Sequence, residues 1–267
     1  MPEELQIRIH GDSYKPTLIY LPGLHGDWSL VTGFRSALTG RARFVEITYP
    51  RSLTWNIEDY ANAIEAALIS RGITRGWLLG ESFGSQLAWP LLGRACSTAS
   101  TDSVSLDRLS FKPEGLILAG GFVKHPLKLG PALLRWIGEK TPMSVYRLEL
   151  KFYAAYSKFR HRRSPENLDS VKEFVARRTD LDRQAMRQRL TLLDNYDPRP
   201  AARNTRVPVY YLAGLIDPLV PWMLVRRWLR KNCPGYRVGE TFWLADHNVL
   251  ATSPARAADL ILTWMNR

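Results

Sequence analysis

The sequence has little cysteine, no long apolar run and fewer acidic than basic residues. Its 267 residues include two cysteines, Cys96 and Cys233, which lie far apart without C-x-x-C spacing or a histidine cluster beside them. The spacing indicates neither a disulfide framework nor a zinc knuckle, so we interpret both cysteines as structural or incidental. No stretch approaches the roughly 18 consecutive apolar residues of a membrane helix. Residues 1–4 also lack the pattern of a signal peptide. We therefore expect a cytoplasmic protein rather than an integral membrane protein.

The shortage of acidic residues leaves a formal net charge of +12. Residues 122–203 contain 18 Lys or Arg against 9 Asp or Glu, so this block has +9 of that charge. Long cationic side chains often cover helical faces without binding anything. Alternatively, the block attracts an anionic substrate or an acidic carrier protein. We expect no nucleic-acid partner, because 160–163 is the only tight basic cluster and no nucleic-acid-binding motif accompanies it.

Apolar runs and amphipathic stretches alternate along most of the chain. This pattern predicts an α/β fold with a mostly parallel central sheet and helices on both faces. The predicted strands are 5–9, 17–21, 43–48, 77–80, 115–119, 207–213 and 236–244. The predicted helices are 28–38, 56–70, 83–95, 221–232 and 254–266. Residues 122–203 show helical patterns only, with starts indicated at 141–142, 164–166 and Asp180. We therefore predict a core domain, 1–121 and 204–267, with 122–203 inserted as a helical cap or lid.

The segment 77–85 runs from an apolar strand through G-x-S-x-G into a helix. The glycines allow a tight turn that exposes Ser82 at the strand end, where the following helix N-terminus can stabilise negative charge. A bare G-x-S-x-G arises by chance in on the order of one chain in ten of this length. Its position between a strand and a helix makes the motif far more specific. The alternative is a turn without chemistry. We predict that Ser82 is a nucleophile.

A second glycine-containing turn, PGLHG at residues 22–26, follows the predicted strand 17–21. Acyl transfer builds an oxyanion, which two backbone N–H groups can stabilise. The amide of Leu24 in this turn and that of Phe83, the residue after Ser82, can supply them. An ordinary surface turn is the alternative.

An acid and a histidine follow the last two predicted strands. Asp217 and His247 each lie just past a strand end. A serine hydroxyl needs a base to take its proton, and the base needs a carboxylate on its other nitrogen. The remaining histidines are His10, His25, His125 and His161. His25 comes before the serine, which is the wrong chain position for the base, although its turn could line the site.

Two further carboxyl groups lie beside the predicted site residues. We interpret Asp246, adjacent to His247, as a loop or surface charge, since a neighbour in sequence cannot easily reach Nδ1 of the imidazole. We expect Glu81 to point away from the reacting centre. Asp217 is therefore the best candidate for the acid.

These motifs together resemble the α/β-hydrolase superfamily, in particular its capped esterase, lipase and C–C-bond hydrolase branches. The likeness extends over nearly the whole chain, from the PGLHG turn and the GESFG motif to the GLIDPLVP and DHN loops. It implies a triad of Ser82, Asp217 and His247 and an oxyanion hole of Leu24 and Phe83. Two features depart from the family: Pro-Gly where many relatives have His-Gly, and an incomplete opening hairpin. These departures remove no predicted catalytic residue; they put the preferred substrate and the structure of the sheet edge in question.

The resemblance implies a serine hydrolase that cleaves a small carboxylic ester through an acyl-enzyme and needs no metal or organic cofactor. Candidate substrate-pocket residues are His25, Leu219, Trp136, Tyr146 and Tyr153. The aromatic residues of the cap are alternatively part of its own core. Two other functions stay open. One is hydrolysis of anionic or carrier-bound esters or thioesters, and the other is ligand binding without turnover, since fold alone does not prove function.

Overall fold

A computed structural model describes residues 4–97, 110–127, 130, 145, 148, 152, 155, 174–176 and 178–267. The strands are β1 (Gln6–His10), β2 (Thr17–Leu21), β3 (Arg43–Thr48), β4 (Arg75–Glu81), β5 (Lys112–Ala119), β6 (Val209–Gly214) and β7 (Tyr236–Phe242). The helices, after a 3-10 turn at Ser29–Val31, are α1 (Thr32–Leu38), α2 (Ile57–Ile69), α3 (Gly84–Ser97), α4 (Asp180–Asn195), α5 (Arg199–Asn204), α6 (Trp222–Asn232), α7 (Val249–Thr252) and α8 (Pro254–Met265).

Within these ranges the strands form one seven-stranded sheet in the order β1-β3-β2-β4-β5-β6-β7. All neighbouring pairs are parallel except β1 with β3. The chain therefore leaves β2, β4, β6 and β7 at the same edge of the sheet. In open parallel sheets this carboxyl edge is where ligands bind.

The two faces of the sheet bury different side chains, because successive residues of a strand point to opposite sides. In β2, Ile19 belongs to one core cluster and Tyr20 to the other. The first cluster includes residues of α2, α3 and α6, and the second includes residues of α1, α7 and α8. Helices thus cover both faces, as the alternating sequence pattern predicts.

The predicted bounds of β2 and β3 agree with the structure, and other elements differ at their ends. β4 and β5 begin earlier than predicted, at Arg75 and Lys112, because these polar residues still pair in the ladder. β7 ends at Phe242 rather than at Leu244. The four-residue helix α7 was not predicted, since so short a helix has no measurable periodicity.

Most of the predicted cap, including the helix starts at 141–142 and 164–166, lies outside the described residues. Its last part is described. α4 begins at Asp180, as predicted, and its N-cap Thr179 accepts from Asp182 N. Leu190 and Leu193 of α4 belong to the same core cluster as α2 and α3. The end of the predicted cap is therefore packed on the core, while its boundaries stay a proposal.

Of the helices in the described ranges, none has the length and apolar character needed to cross a bilayer. Cys233 is buried at the end of α6, where burial raises the pKa of its thiol to about 11. A thiol in this state is protonated and unreactive, in agreement with a structural role.

Candidate active site

Three side chains that are distant in sequence form one hydrogen-bonded chain at the carboxyl edge of the sheet. His247 Nδ1 lies 2.8 Å from Asp217 Oδ2, and His247 Nε2 lies 2.8 Å from Ser82 Oγ. A carboxylate only accepts, so Nδ1 donates to Asp217 and Nε2 is left to accept the serine hydroxyl. This arrangement can remove the serine proton as the hydroxyl attacks a carbonyl carbon.

Ser82 lies in a strained turn between β4 and α3. Its φ is 49°, the one positive value among the described non-glycine residues. A conformation of this kind costs about 1–3 kcal/mol. Close packing maintains it: a Cβ at Gly84 would lie 1.9 Å from the carbonyl oxygen of Leu21, and one at Gly80 would lie 2.8 Å from Cα of Ser85. The glycines of the motif are therefore required because the turn packs directly against backbone.

Asp217 and His247 are each held by their own loop. Asp217 has a fully buried side chain, and its Oδ1 accepts from the amides of Leu219 and Val220 at 2.8 and 2.9 Å. Oδ2 is thereby left for His247. Gly120, at φ +57°, lies against the imidazole, where a Cβ would be 3.3 Å from Nδ1. The loop after β5 thus has no side chain that would displace the ring.

Leu24 lies in the turn after β2 and lines the same cavity as Ser82, and Phe83 follows Ser82 in the turn after β4. In the part of the chain that the structure describes, neither N–H donates to a protein acceptor. Gly23 approaches the serine closely, since a Cβ there would lie 3.4 Å from Cβ of Ser82. Unpaired amides in turns that meet at a serine are the kind of donor that can bind a developing oxyanion.

Ser82 and His247 open into a cavity of about 540 Å³. Part of its wall is apolar and includes the side chains of Leu30, Phe174, Ile216 and Leu219. Three carboxyl-bearing residues also line it: Asp27, Glu81 and Asp246. The cavity therefore combines apolar walls with acidic groups.

One of these carboxyl groups, Glu81, is not where the sequence led us to expect it, whereas Asp246 is in a loop, as expected. Glu81 lines the cavity instead of pointing away, and the hydroxyl of Tyr20 donates to its Oε2. Burial raises the pKa of Glu81, while the bond from Tyr20 and the nearby His247 lower it less. Asp246 also lines the cavity, and its Oδ1 accepts from Asn248 N at 3.0 Å. Glu81 ends β4, and strand alternation places it on the same face as Trp77, Leu79 and Tyr20; that it lines a cavity depends on the loops that fold over the sheet edge.

The candidate pocket residues divide into two groups. His25 and Leu219 line the cavity. Trp136, Tyr146 and Tyr153 lie outside the described residues. Sequence reasoning missed Tyr20 and Asp27, which also line it. Their position just before and just after the glycine turn was the available signal.

His25 lies edge-on against Phe174, with ring centroids 4.6 Å apart. Burial, and then the charge of Arg178, lowers the pKa of His25 to about 3. Its imidazole is therefore neutral at ordinary pH and contributes a polar but uncharged wall. Asp27 forms an ion pair with Arg178 on the same side of the cavity.

Many solved structures of α/β hydrolases are similar to this fold. An enol-lactonase from Burkholderia xenovorans LB400 superposes with a TM-score of 0.74 at 16% identity, covering 98% of this chain and 96% of the other. An esterase from Exiguobacterium antarcticum gives 0.72 at 16%, with 98% and 96% covered. An esterase from Rhodococcus sp. ECU1013 gives 0.71 at 15%, with 98% and 94% covered. At these identities the likeness establishes the fold alone.

Sequence comparison extends the assignment from fold to family. No curated protein matches the chain by sequence. The family model described as "Alpha/beta hydrolase family" matches residues 10–260, which is nearly the whole chain. The matched range contains the serine turn, the acid loop and the histidine loop. The chain belongs to the alpha/beta hydrolase family.

Proposed function

We propose that the protein is a serine hydrolase that cleaves a carboxylic ester, with Ser82 as nucleophile, His247 as general base and Asp217 as the orienting acid. The observation that carries this proposal is the pair of 2.8 Å contacts that link the hydroxyl, the imidazole and the carboxylate. Family membership supports the general reaction class, hydrolysis.

In the proposed reaction, Ser82 Oγ attacks the ester carbonyl carbon while its proton passes to His247 Nε2. The C=O π pair moves to oxygen, and the Leu24 and Phe83 amides stabilise the resulting oxyanion. The tetrahedral intermediate then collapses: the C–O bond to the alcohol breaks, and the imidazolium protonates the leaving oxygen. Water, activated by His247, attacks the acyl-enzyme in the same way and releases the acid. Asp217 stabilises the imidazolium in both halves.

The cavity supports an uncharged acyl group of modest size as the preferred substrate. Pockets for small molecules span about 300–1,000 Å³, and this one measures about 540 Å³. Carboxyl groups in its wall disfavour an anionic acyl group. The net charge of +12 supports the alternative of an anionic or carrier-bound ester, because it attracts anions at longer range.

Labelling with a fluorophosphonate and hydrolysis of p-nitrophenyl butyrate test the proposal together. We expect the wild-type protein to react with both and Ser82→Ala to react with neither. Asp217→Asn should lower kcat by about four orders of magnitude, since the amide no longer selects the imidazole tautomer that accepts from serine.

Ser70→Ala is the matched control, because Ser70 lies exposed at the C-terminal end of α2, where its Oγ donates to the carbonyl of Ala67 at 3.0 Å. It should still be labelled. A folded wild-type protein that reacts with neither reagent would contradict the hydrolase proposal and favour ligand binding without turnover.

A further inference from the structure

The turn that carries Leu24 is held through every backbone carbonyl from residue 22 to residue 26. The donors to these carbonyls are Tyr49 Oη to Pro22 (3.0 Å), Gly26 N to Gly23 (2.9 Å), Arg189 Nη1 to Leu24 (2.7 Å), Arg178 Nη1 to His25 (3.5 Å) and Tyr49 N to Gly26 (2.8 Å). The Leu24 N–H shares its peptide plane with the Gly23 carbonyl, which Gly26 N holds. The next plane contains the Leu24 carbonyl, which Arg189 holds, so both planes on either side of the Leu24 Cα are fixed by hydrogen bonds.

Arg189 is the most unusual of these donors. It is 2% exposed and comes from α4, 165 positions further along the chain than Leu24. Its other terminal nitrogen donates to the carbonyl of Pro50 at 2.9 Å. The guanidinium also lies over the rings of Tyr49 and Tyr60, with its Cζ 5.5 and 6.0 Å from their centroids.

A buried guanidinium is costly, and an apolar replacement of similar volume is often neutral or even stabilising. No carboxylate is bonded to Arg189 among the described residues. Its hydrogen bonds go to the backbone carbonyls of Leu24 and Pro50. This choice of partners points to a role in backbone geometry rather than in charge neutralisation.

The turn is also shaped to receive this side chain. At Gly26, with φ +77°, a Cβ would lie 2.6 Å from Arg189 Nη1. The second glycine of the PGLHG turn thus leaves the space that the guanidinium occupies. Arg178 holds the far end of the turn, through its ion pair with Asp27. Asp27 in turn accepts from the amide of Ser29 at 3.0 Å.

We propose that Arg189, assisted by Arg178, is a positioning residue for the oxyanion hole: it binds the Leu24 carbonyl, fixes the peptide plane that follows Leu24 and thereby restricts rotation of the preceding plane, whose Leu24 N–H is to face the reacting carbonyl oxygen. This inference rests on the proposed ester hydrolysis. It also makes the segment 178–189, at the end of the predicted cap, part of the catalytic geometry. Movement of that segment would turn the Leu24 amide.

The expected consequence is an effect on kcat rather than on KM. The negative charge on the carbonyl oxygen develops only in the transition state, so a misdirected N–H weakens transition-state binding and leaves ground-state binding unchanged. Removing an oxyanion donor costs about 100- to 1,000-fold in rate. Misplacing one by about 1 Å can cost on the order of 100-fold.

The test measures Arg189→Met, Arg189→Lys and wild type on p-nitrophenyl butyrate, with kcat expressed per site titrated to completion by a fluorophosphonate. We expect Arg189→Met to lower kcat about 100-fold with KM changed by less than about 3-fold. Arg189→Lys should have a kcat between those of wild type and Arg189→Met, since its ammonium can donate to only part of the same set of carbonyls.

A trifluoromethyl ketone adds a readout that a purely structural role would not move. Ser82 Oγ adds to the ketone carbon, its proton passes to His247, and the carbonyl π pair becomes an oxyanion in the same position as in the ester reaction. The inhibition constant for Arg189→Met should therefore rise by the same factor as kcat/KM falls. Arg71→Met, on an exposed arginine at the end of α2, is the control and should match wild type.

Tyr49→Phe covers the case in which Arg189→Met does not fold. It keeps the ring and removes only the hydroxyl that donates to Pro22, so kcat should fall about 5-fold with KM unchanged. If the folded Arg189 variants keep the wild-type kcat per titrated site, this inference is overturned. If Arg189→Met is unfolded, wild-type kcat in both Arg189→Lys and Tyr49→Phe overturns it. A wild-type protein that is neither labelled nor active would instead overturn the proposed function.

Discussion

His25 and Asp27 belong to one turn but respond to their surroundings in different ways. Burial and Arg178 both lower the pKa of His25, to about 3. For Asp27, burial acts to raise the pKa, but Arg178 and the bonds from Ser29 outweigh it and the net shift is downward. The neutral imidazole of His25 and the carboxylate of Asp27 are therefore close in sequence, and Arg178 favours both the neutral imidazole and the ionised carboxylate.

The shift at His25 predicts a specific dependence of stability on pH. The unfolded chain binds a proton at His25 below its ordinary pKa of 6.5, whereas the folded chain does so only below about 3. Stability from the neutral imidazole is therefore complete above pH 6.5 and is lost as the pH falls towards 3. We expect the urea midpoint of the wild type to fall between pH about 7 and about 4, and to fall less in His25→Asn.

Other groups that titrate in this range affect both proteins alike, so the difference between the two profiles isolates His25. Parallel profiles for wild type and His25→Asn would contradict the prediction.

The helix α2 shows what local sequence determines at the level of an element. Asn56 is the first residue of the predicted helix 56–70 and is the N-cap of α2. In the structure Asn56 Oδ1 accepts from the amides of Glu58 and Asp59 at 2.8 and 3.0 Å, and the Asp59 carboxylate accepts from Asn56 N at 2.8 Å. This reciprocal pair depends only on residues three apart in the sequence, which is why the start of the helix could be predicted.

Loss of this cap should lower stability without affecting the site. Asn56→Ala leaves two amide donors of the first turn without partners, which costs about 1 kcal/mol. The melting temperature should fall by about 2–4 °C, with kcat unchanged. Asn62→Ala, at an exposed position in the middle of the same helix, should leave stability the same or slightly higher, because alanine is the better helix former. Equal melting temperatures for Asn56→Ala and wild type would show that the cap contributes nothing measurable.

The charge of the whole molecule acts over longer distances than any pair of residues. With a net charge of +12, the protein should attract anionic esters in solution, even though carboxyl groups line the cavity itself. Salt screens such attraction, with a Debye length of about 8 Å at physiological ionic strength.

We therefore expect kcat/KM for an anionic ester to fall as salt is raised, while kcat/KM for p-nitrophenyl butyrate stays constant. Stopped-flow or steady-state rates over a salt series would measure this. The uncharged ester serves as the internal control. If the ratio of the two specificity constants does not change with salt, steering by net charge is absent.

The sequence predicts correctly those features that depend on regular patterns or on residues close together in the chain, and it misses contacts between distant residues. The α/β fold with its mostly parallel sheet is confirmed, since alternating apolar runs report burial directly. The candidates Ser82, Asp217 and His247 could be chosen because each follows a strand, and parallel strands end at one edge. Their catalytic roles stay predictions. Helical spacing places Arg189 on the buried face of α4, four residues from Ala185 and Leu193. Its partners could not be found in this way, because the carbonyls of Leu24 and Pro50 are 165 and 139 positions away in the chain.

The alternation of strands and helices, the glycine turns and the helix cap follow from the amino-acid sequence alone, because they depend on residues only a few positions apart. Which distant groups meet follows from the packing of the whole chain. This packing brings the imidazole of His247 against Ser82 and the guanidinium of Arg189 against the carbonyl of Leu24. Contacts of this kind arise when separate elements pack, and the positions of packed elements are set by the whole core rather than by any one segment.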